Sequence, residues 1–353
     1  MNKYKKIYIA IDLHSKHSMI GHMNAEGQYL GQQQVPTTGV NLMNQITAIP
    51  ADCKHLTIEQ GNMAFWAAEQ LRDYVDELII CNPRHNALIS RSANKNDRLD
   101  TLRLCKLLRL GELKAVWRPK QMGVRRLFYH QIKEYQRLTK TLTIHKRQLQ
   151  ASLRHWGINV SDDPDRIITT RKDPGRRLTG PCWPRSWRIS LPLFTKCNAR
   201  RTGSLIALSR TGEQFWEIAE FQNMSGMGPV GAHTFSGYIQ TPHRFRRRGQ
   251  LIRFCQLAVR SRTSDGRRLR AERLDKAGHG CLKNVAHIAW KAAQKSDNEV
   301  RRFYRASLAR VGDPVKARLN TQRKILITLW SLWKHKRTYR PQKFYCGDGD
   351  SAR

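Results

Sequence analysis

Hydrophobic positions in the first third of the chain follow a period of two and then change to a helical period. Ile7, Ile9 and Ile11 alternate with other residues, which predicts a strand. Residues 18–23 and 29–35 continue this pattern on either side of a turn at Glu26-Gly27, so residues 6–36 predict a three-stranded meander.

Helical and strand-like stretches then alternate. The pattern predicts a helix over 40–49, a strand over 55–59, a helix over 63–74, a strand over 77–81 and a leucine-rich helix over 97–113. A meander followed by alternating helices and strands indicates an α/β layer built on a mixed sheet with flanking helices.

The middle of the chain divides into two contrasting stretches. Residues 119–164 contain no internal proline and keep apolar residues at helical spacing, which predicts a long helix or helical hairpin acting as a connector or oligomerisation element. Residues 174–212 are rich in proline, tryptophan and basic residues and contain no acid. We expect an irregular basic linker there, and composition does not distinguish it from a locally frame-slipped stretch.

A glycine-rich turn opens the last third of the chain. Met224-Ser225-Gly226-Met227-Gly228-Pro229-Val230-Gly231 has the form of a helix-hairpin-helix turn, whose backbone amides can hold a phosphate, although an ordinary glycine turn fits as well. Residues 244–273 are dominated by arginine, and residues 282–310 and 314–335 predict helices.

Charge narrows the class of partner. The 353-residue chain has 64 Lys and Arg against 27 Asp and Glu, a formal charge of +37. Such an excess indicates a polyanion, and nucleic acid is the obvious one. The residues expected to contact it are Gly226, Gly228, Arg246, Arg247, Arg248, Arg267, Arg268 and Arg270.

Cysteine usage and hydropathy indicate the compartment. The eight cysteines form no C-x-x-C pair, so we expect neither structural zinc nor disulfides. No secretory leader and no apolar run long enough to cross a bilayer is evident, which favours a reduced, cytoplasmic protein with no membrane partner.

Four carboxylates occur along the chain in the order expected for an RNase H-like nuclease. Asp12 ends the first strand, Glu59 ends a later one, and Asp97 and Asp100 share a helix face by their spacing of three. Two such groups about 5.5 Å apart repel by about 3 kcal/mol at an effective dielectric of 20, which a divalent cation offsets. Hard oxygen ligands predict Mg²⁺ or Mn²⁺.

Each of these acids also has a simpler interpretation. Asp12 could cap a turn, Glu59 could be solvated, and Asp97 could cap a helix whose dipole Asp100 favours. Taken singly these interpretations are the better ones, and only the joint order of the acids favours the metal site.

Several motifs together resemble the DEDD transposases of the insertion sequence 110 family, which are related to pilin-gene DNA invertases. They are Ile9-Ala10-Ile11-Asp12-Leu13-His14, Ile58-Glu59-Gln60-Gly61, Asn94-Lys95-Asn96-Asp97-Arg98-Leu99-Asp100, Ser225-Gly226-Met227-Gly228-Pro229, Thr263-Ser264-Asp265-Gly266-Arg267-Arg268 and Lys276-Ala277-Gly278-His279-Gly280. The resemblance covers about residues 5–157 and 213–335, and the order of the motifs is more specific than any one of them.

The resemblance implies a RuvC-like domain holding Mg²⁺ through Asp12, Glu59, Asp97 and Asp100, a coiled-coil arm, and a C-terminal domain whose serine becomes linked to DNA. Ser264 matches that nucleophile. The family usually has glycines directly after the serine, whereas Asp265 intervenes here, so Ser261 is a second candidate. A guide RNA, a homo-oligomer and a bacterial, nucleoid-associated location are also implied.

The expected organisation has five parts. They are a catalytic domain over 1–118, a helical arm over 119–160, the irregular basic linker over 161–212, a mainly helical serine transposase domain over 213–340 and a tail over 341–353.

Three functions remain open at this point. The first is a transposase or recombinase that cuts and rejoins element ends with the carboxylates and Ser264. The second is a Holliday-junction resolvase or nuclease that uses the carboxylates and water. The third is a decayed copy that only binds DNA, through its basic surface.

Overall fold

The computed structural model describes residues 4–82, 97–117, 123–155, 185–260, 263–264, 267–268 and 273–345. The chain forms two compact units, Met1–Arg118 and Pro119–Arg353. Each unit has its own hydrophobic core. Among the described residues, no helix combines the length and apolar character that a membrane span requires.

In its described residues, the first unit is a five-stranded mixed sheet with three α-helices. Its elements are β1 (Tyr4–Asp12), β2 (His17–Asn24), β3 (Tyr29–Pro36), α1 (Gly39–Ala48), β4 (Ala51–Glu59), α2 (Ala64–Leu71), β5 (Glu77–Cys81) and α3 (Asp97–Arg109). The strand order is β3-β2-β1-β4-β5. The first three strands are antiparallel, whereas β4 is parallel to both β1 and β5.

Alternation along β1 separates two apolar layers. Ile7, Ile9 and Ile11 are fully buried in a cluster that includes residues of α1 and α2. Ala10 belongs to a smaller cluster with Leu104 of α3. Because successive side chains of a strand point to opposite faces, α1 and α2 cover one face of the sheet and α3 covers the other. The mixed α/β sheet expected from the sequence is therefore confirmed.

The second unit is mainly helical. Its helices are α4 (Val124–His155), α5 (Arg185–Gly212), α6 (Trp216–Gln222), α7 (Pro229–Ile239), α8 (Arg248–Phe254), α9 (Gly280–Ala293), α10 (Glu299–Val311), α11 (Pro314–Lys334) and α12 (Pro341–Tyr345). Two short antiparallel pairs lie between α8 and α9: β6 (Val259–Arg260) with β9 (Arg273–Leu274), and β7 (Thr263–Ser264) with β8 (Arg267–Arg268).

The expected irregular linker over 161–212 is wrong in its second half. Residues 185–212 form the helix α5, which packs along α4. Phe194 and Leu208 of α5 are buried, and the thiol of Cys197 lies 3.8 Å from the carbonyl of Leu138 in α4. The helix contains Pro192, whose helix-breaking tendency is outweighed by this packing. Residues 156–184 lie outside the described part of the chain.

Candidate active site and nucleic-acid interface

Asp12 and Glu59 end two neighbouring parallel strands. The last registered pair between β1 and β4 is Ile11 with Ile58, so both acids stand one position further along. By alternation Asp12 shares a face with Ala10, and Glu59 shares a face with the buried Thr57. Both acids therefore belong to the carboxyl edge of the sheet, on the face covered by α3.

The helix α3 runs antiparallel to β1. Near its end, the guanidinium of Arg109 donates to the carbonyl of Ala25, which lies in the turn between β2 and β3. One turn earlier, the thiol of Cys105 lies 3.5 Å from the carbonyl of Gly21, and Thr101 contacts the Tyr29 hydroxyl at 3.0 Å. The loop after β2 lies beside the start of β1, because the two strands are antiparallel. The last turn of α3 is therefore near the start of β1, and its first turn lies toward the end of β1, where Asp12 stands.

Asp97 and Asp100 occupy that first turn of α3. The Asp100 side chain is 20% exposed and lies 3.7 Å from the guanidinium of Arg103. Asp97 begins the helix, but its side chain lies outside the described part of the structure. The backbone therefore brings the third acidic motif to the same sheet edge as Asp12 and Glu59.

The Asp12 carboxylate lies 3.2 Å from the imidazole Nε2 of His14 and is 17% exposed. His14 lies within the first of the quoted motifs, but its contact with Asp12 was not predicted from the sequence. Among the side chains that the structure describes, which exclude Asp97, no three His, Cys, Asp or Glu residues are arranged to hold a metal ion. The metal site therefore stays a prediction.

The candidate serine lies in a short hairpin. Ser264 of β7 is paired with Arg267 of β8, and Thr263 is paired with Arg268. The pairing thus places the backbone of Arg267 opposite the candidate nucleophile. The side chains of these residues, together with Ser261, Asp265 and Arg270, lie outside the described part of the structure. The three arginines Arg246, Arg247 and Arg248 are exposed before and at the start of α8.

The glycine turn between α6 and α7 is anchored by hydrogen bonds to an acidic side chain. Glu299 accepts hydrogen bonds from the backbone amide of Ser225 at 3.0 Å and from its hydroxyl at 2.8 Å. The hydroxyl of Tyr339 donates to the same carboxylate at 2.7 Å. Burial raises the pKa of Glu299, but these hydrogen bonds outweigh burial and hold the pKa below its usual value. One amide of the expected phosphate-binding turn is therefore already occupied by a carboxylate.

Gly226 and Gly228 have different structural roles in this turn. Gly226 has a φ of 86°, and a Cβ there would collide with the carbonyl of Ala289 in α9. Gly228 precedes α7 with a φ of −77°, and a Cβ there would meet open space. Close packing against α9 thus explains Gly226 without a ligand, whereas Gly228 has no such explanation.

Part of the second unit is similar to a known protein family. Residues 219–305 match the transposase IS116/IS110/IS902 family. This match supports an insertion-element transposase. It runs from α6 into α10, so it includes the glycine turn and Ser264 and covers about a quarter of the chain. No curated protein matches the chain. A transposase acts on DNA, which agrees with the charge of +37.

Proposed function

We propose that this transposase cuts and rejoins DNA at the ends of an insertion element, with Asp12, Glu59, Asp97 and Asp100 around a divalent cation and Ser264 as the nucleophile. The observation that carries the proposal is the family match across residues 219–305. The convergence of the three acidic motifs on one sheet edge supports the assignment of the carboxylates.

The acids fit Mg²⁺ or Mn²⁺ in their chemistry. All four offer hard carboxylate oxygens, and both Asp12 and Asp100 are accessible at the rim of the sheet. When bound, the cation would activate the attacking oxygen and stabilise the departing one. The protein's own part is to hold the carboxylates on two strands and a helix, which are more rigid supports than loops.

The serine step conserves phosphodiester bonds. The Ser264 oxygen attacks a DNA phosphorus, a serine–phosphate bond forms and the bond to the departing DNA oxygen breaks. The hydroxyl proton of serine balances the proton that the departing oxygen gains. Attack by a DNA hydroxyl on the serine–phosphate reverses these changes and rejoins a strand, so no external energy source is needed.

Two partners extend this proposal. A structured RNA encoded by the element would direct the choice of DNA, and a second copy of the chain would complete the assembly. The family resemblance supports both partners, and the charge of +37, which exceeds what a short duplex contact needs, adds support for the RNA.

The test is a covalent adduct. Purified protein is incubated with labelled element-end DNA, the element's RNA and Mg²⁺, and protein-linked DNA is sought on a denaturing gel. We expect an adduct that Asp12→Ala and Ser264→Ala each abolish. Asp73→Ala is the matched acidic control, because that side chain is 85% exposed in the same unit. Ser261→Ala tests the second candidate serine.

The outcomes separate the alternatives. Free cleaved ends without an adduct would identify a nuclease that uses water, in which case Ser264→Ala stays active. Loss of the adduct in Ser261→Ala but not in Ser264→Ala would transfer the nucleophile to Ser261. Intact DNA binding with neither product would mean that the copy is catalytically silent.

A further inference from the structure

The helix α4 has two sides of opposite character. Its apolar side is buried against other helices of the second unit, through Phe128, Ile132, Tyr135, Leu138 and Leu149. Its outer side carries an exposed row of basic residues that we call the basic stripe. The stripe consists of His130, Lys133, Arg137, Lys140, Arg147 and Arg154.

Spacing makes the stripe continuous. Its residues are separated by three, four or seven positions, so all six share one side of the helix. At 1.5 Å per residue it extends for about 36 Å, which is close to one turn of B-form DNA. The exposed Ile144 and Ala151 fill the two positions that carry no charge.

Little within α4 neutralises this charge. Glu134 is the one acid in the helix sequence, and it binds the guanidinium of Arg137 at 2.6 and 2.8 Å. An exposed pair of this kind is a weak interaction. The stripe residues Lys133, Lys140, Arg147 and Arg154 have no acid three or four positions away in the helix, so their repulsion favours an external anion.

The stripe begins beside the arginine-rich segment. Burial lowers the pKa of His279, and the positive charges of Arg244 and Lys133 lower it further. Lys133 of α4 is therefore within electrostatic reach of the loop that ends this segment. The described geometry agrees with this, because Lys133 lies over the Tyr129 ring, Tyr129 contacts Tyr238, and Tyr238 contacts His279.

We propose that the basic stripe of α4 binds the phosphate backbone of duplex DNA. The choice of DNA as partner rests on the proposed function, but the surface does not depend on the carboxylates or on Ser264. A second copy of α4 does not fit the stripe, because two rows of like charge repel each other. A B-form major groove admits a helix, whereas the A-form groove of duplex RNA is too narrow.

Paired charge variants test the proposal. The stripe variant combines Lys133→Gln, Lys140→Gln, Arg147→Gln and Arg154→Gln. The control variant combines Lys291→Gln, Lys295→Gln, Arg305→Gln and Arg310→Gln, which removes four exposed charges from α9, the loop after it and α10. Glutamine has a helix propensity similar to that of lysine and arginine, and circular dichroism checks that both variants fold.

The measurement is fluorescence anisotropy of full-length protein on a 40-base-pair DNA of mixed sequence, over a series of salt concentrations. We expect the stripe variant to bind at least about tenfold more weakly near 0.15 M salt, with a salt slope smaller by about 3 to 4. We expect the control variant to lose less than about threefold.

Three results would overturn the proposal. They are equal affinity of the stripe variant and the control, a loss of affinity for duplex RNA of the same sequence without a loss for DNA, and a change in oligomeric mass with DNA affinity unchanged.

A smaller perturbation supplies a second test. Ile144→Glu puts an acid in the middle of the stripe and should weaken DNA binding more than Ile144→Gln, since that side chain is 55% exposed. The covalent-adduct assay reports separately on the proposed function.

Discussion

Glu217 in the second unit and Asp12 in the first are both carboxylates, but they differ in burial and in their hydrogen-bond partners. Glu217 in α6 is 0% exposed. Its carboxylate accepts hydrogen bonds from the guanidinium of Arg125 at 2.7 and 3.3 Å and from the Ser236 hydroxyl at 2.7 Å. Asp12 lies at the carboxyl edge of the sheet, which we also call the rim. Its side chain is 17% exposed, and the imidazole of His14 lies 3.2 Å from its carboxylate.

The difference separates structural acids from candidate functional ones. A buried carboxylate is tolerated only when cations and donors compensate for its desolvation, as Arg125 and Ser236 do for Glu217. Acids at one edge of a sheet repel one another, so their arrangement stabilises the fold little, and the cation of the proposed function would offset the repulsion. The second unit uses acids to join helices, whereas the first presents them at an edge.

The largest expected effect is on activity. Asp12→Asn keeps the shape of the side chain but removes its charge, and we expect strand cleavage to fall on the order of a thousandfold or more. The melting temperature should change by only a few degrees, because the side chain lies at the rim and like charges are relieved. The adduct assay and a thermal melt check this. An unfolded Asp12→Asn protein would contradict the functional interpretation of the rim acids.

The reverse pattern is expected at Glu217. Glu217→Ala leaves the Arg125 guanidinium, which is partly buried between the Phe215 and Trp333 rings, without its anion. It should cost about 3 kcal/mol of unfolding free energy, the lower end for a buried pair, because the Arg125 side chain is 33% exposed. Urea denaturation measures the loss. Glu134→Ala is the matched control, because it breaks an exposed pair with Arg137 and should cost less than about 1 kcal/mol. Equal losses in the two variants would remove the distinction.

Substitutions in the glycine turn test the comparison through stability effects of intermediate size. Gly226→Ala should destabilise the second unit by about 2 kcal/mol or more, since both its φ of 86° and the neighbouring Ala289 carbonyl oppose a side chain. Gly228→Ala meets open space and should leave stability within about 0.5 kcal/mol. If Gly228→Ala nevertheless weakens DNA binding in the anisotropy assay, the turn contacts phosphate, and unchanged binding would exclude that contact at Gly228.

Sequence periodicity predicted the first unit well because its patterns are local. The alternation of Ile7, Ile9 and Ile11 marks β1, and the apolar residues between 40 and 49 mark α1. Strand order and the antiparallel course of α3 depend on contacts between distant residues, such as Cys105 with Gly21. Periodicity carries no information about such pairs, so the sequence placed the acids on elements but not at one edge.

The second unit was harder to predict for identifiable reasons. The helix α5 contains Pro192 and many polar residues, and its stability comes from packing along α4 that composition does not reveal. The Arg125–Glu217 pair joins residues 92 positions apart, and Ser225 meets Glu299 across 74 positions. The Arg125–Glu217 ion pair and the contact of Glu299 with the glycine turn were therefore missed.

The smallest predicted effect concerns Glu299 and depends on pH. Its pKa is held below the usual value in the folded protein, so its stabilising contribution is complete above the ordinary glutamate range and is lost as pH falls through the lowered pKa. Tyr339→Phe removes one donor to the carboxylate and should cost about 1.5 kcal/mol at pH 7, because the two donors of Ser225 remain.

The cost of Tyr339→Phe should shrink as Glu299 becomes protonated, because the hydroxyl then meets a neutral acceptor. Urea denaturation at pH 7 and at successively lower pH below the usual glutamate pKa of 4.5 measures this change. Tyr345→Phe is the control, since that ring is 55% exposed and its substitution should be neutral throughout. A pH-independent cost would show that Tyr339 acts through packing alone, and Glu299 would then join the rim acids in contributing little charge-dependent stability.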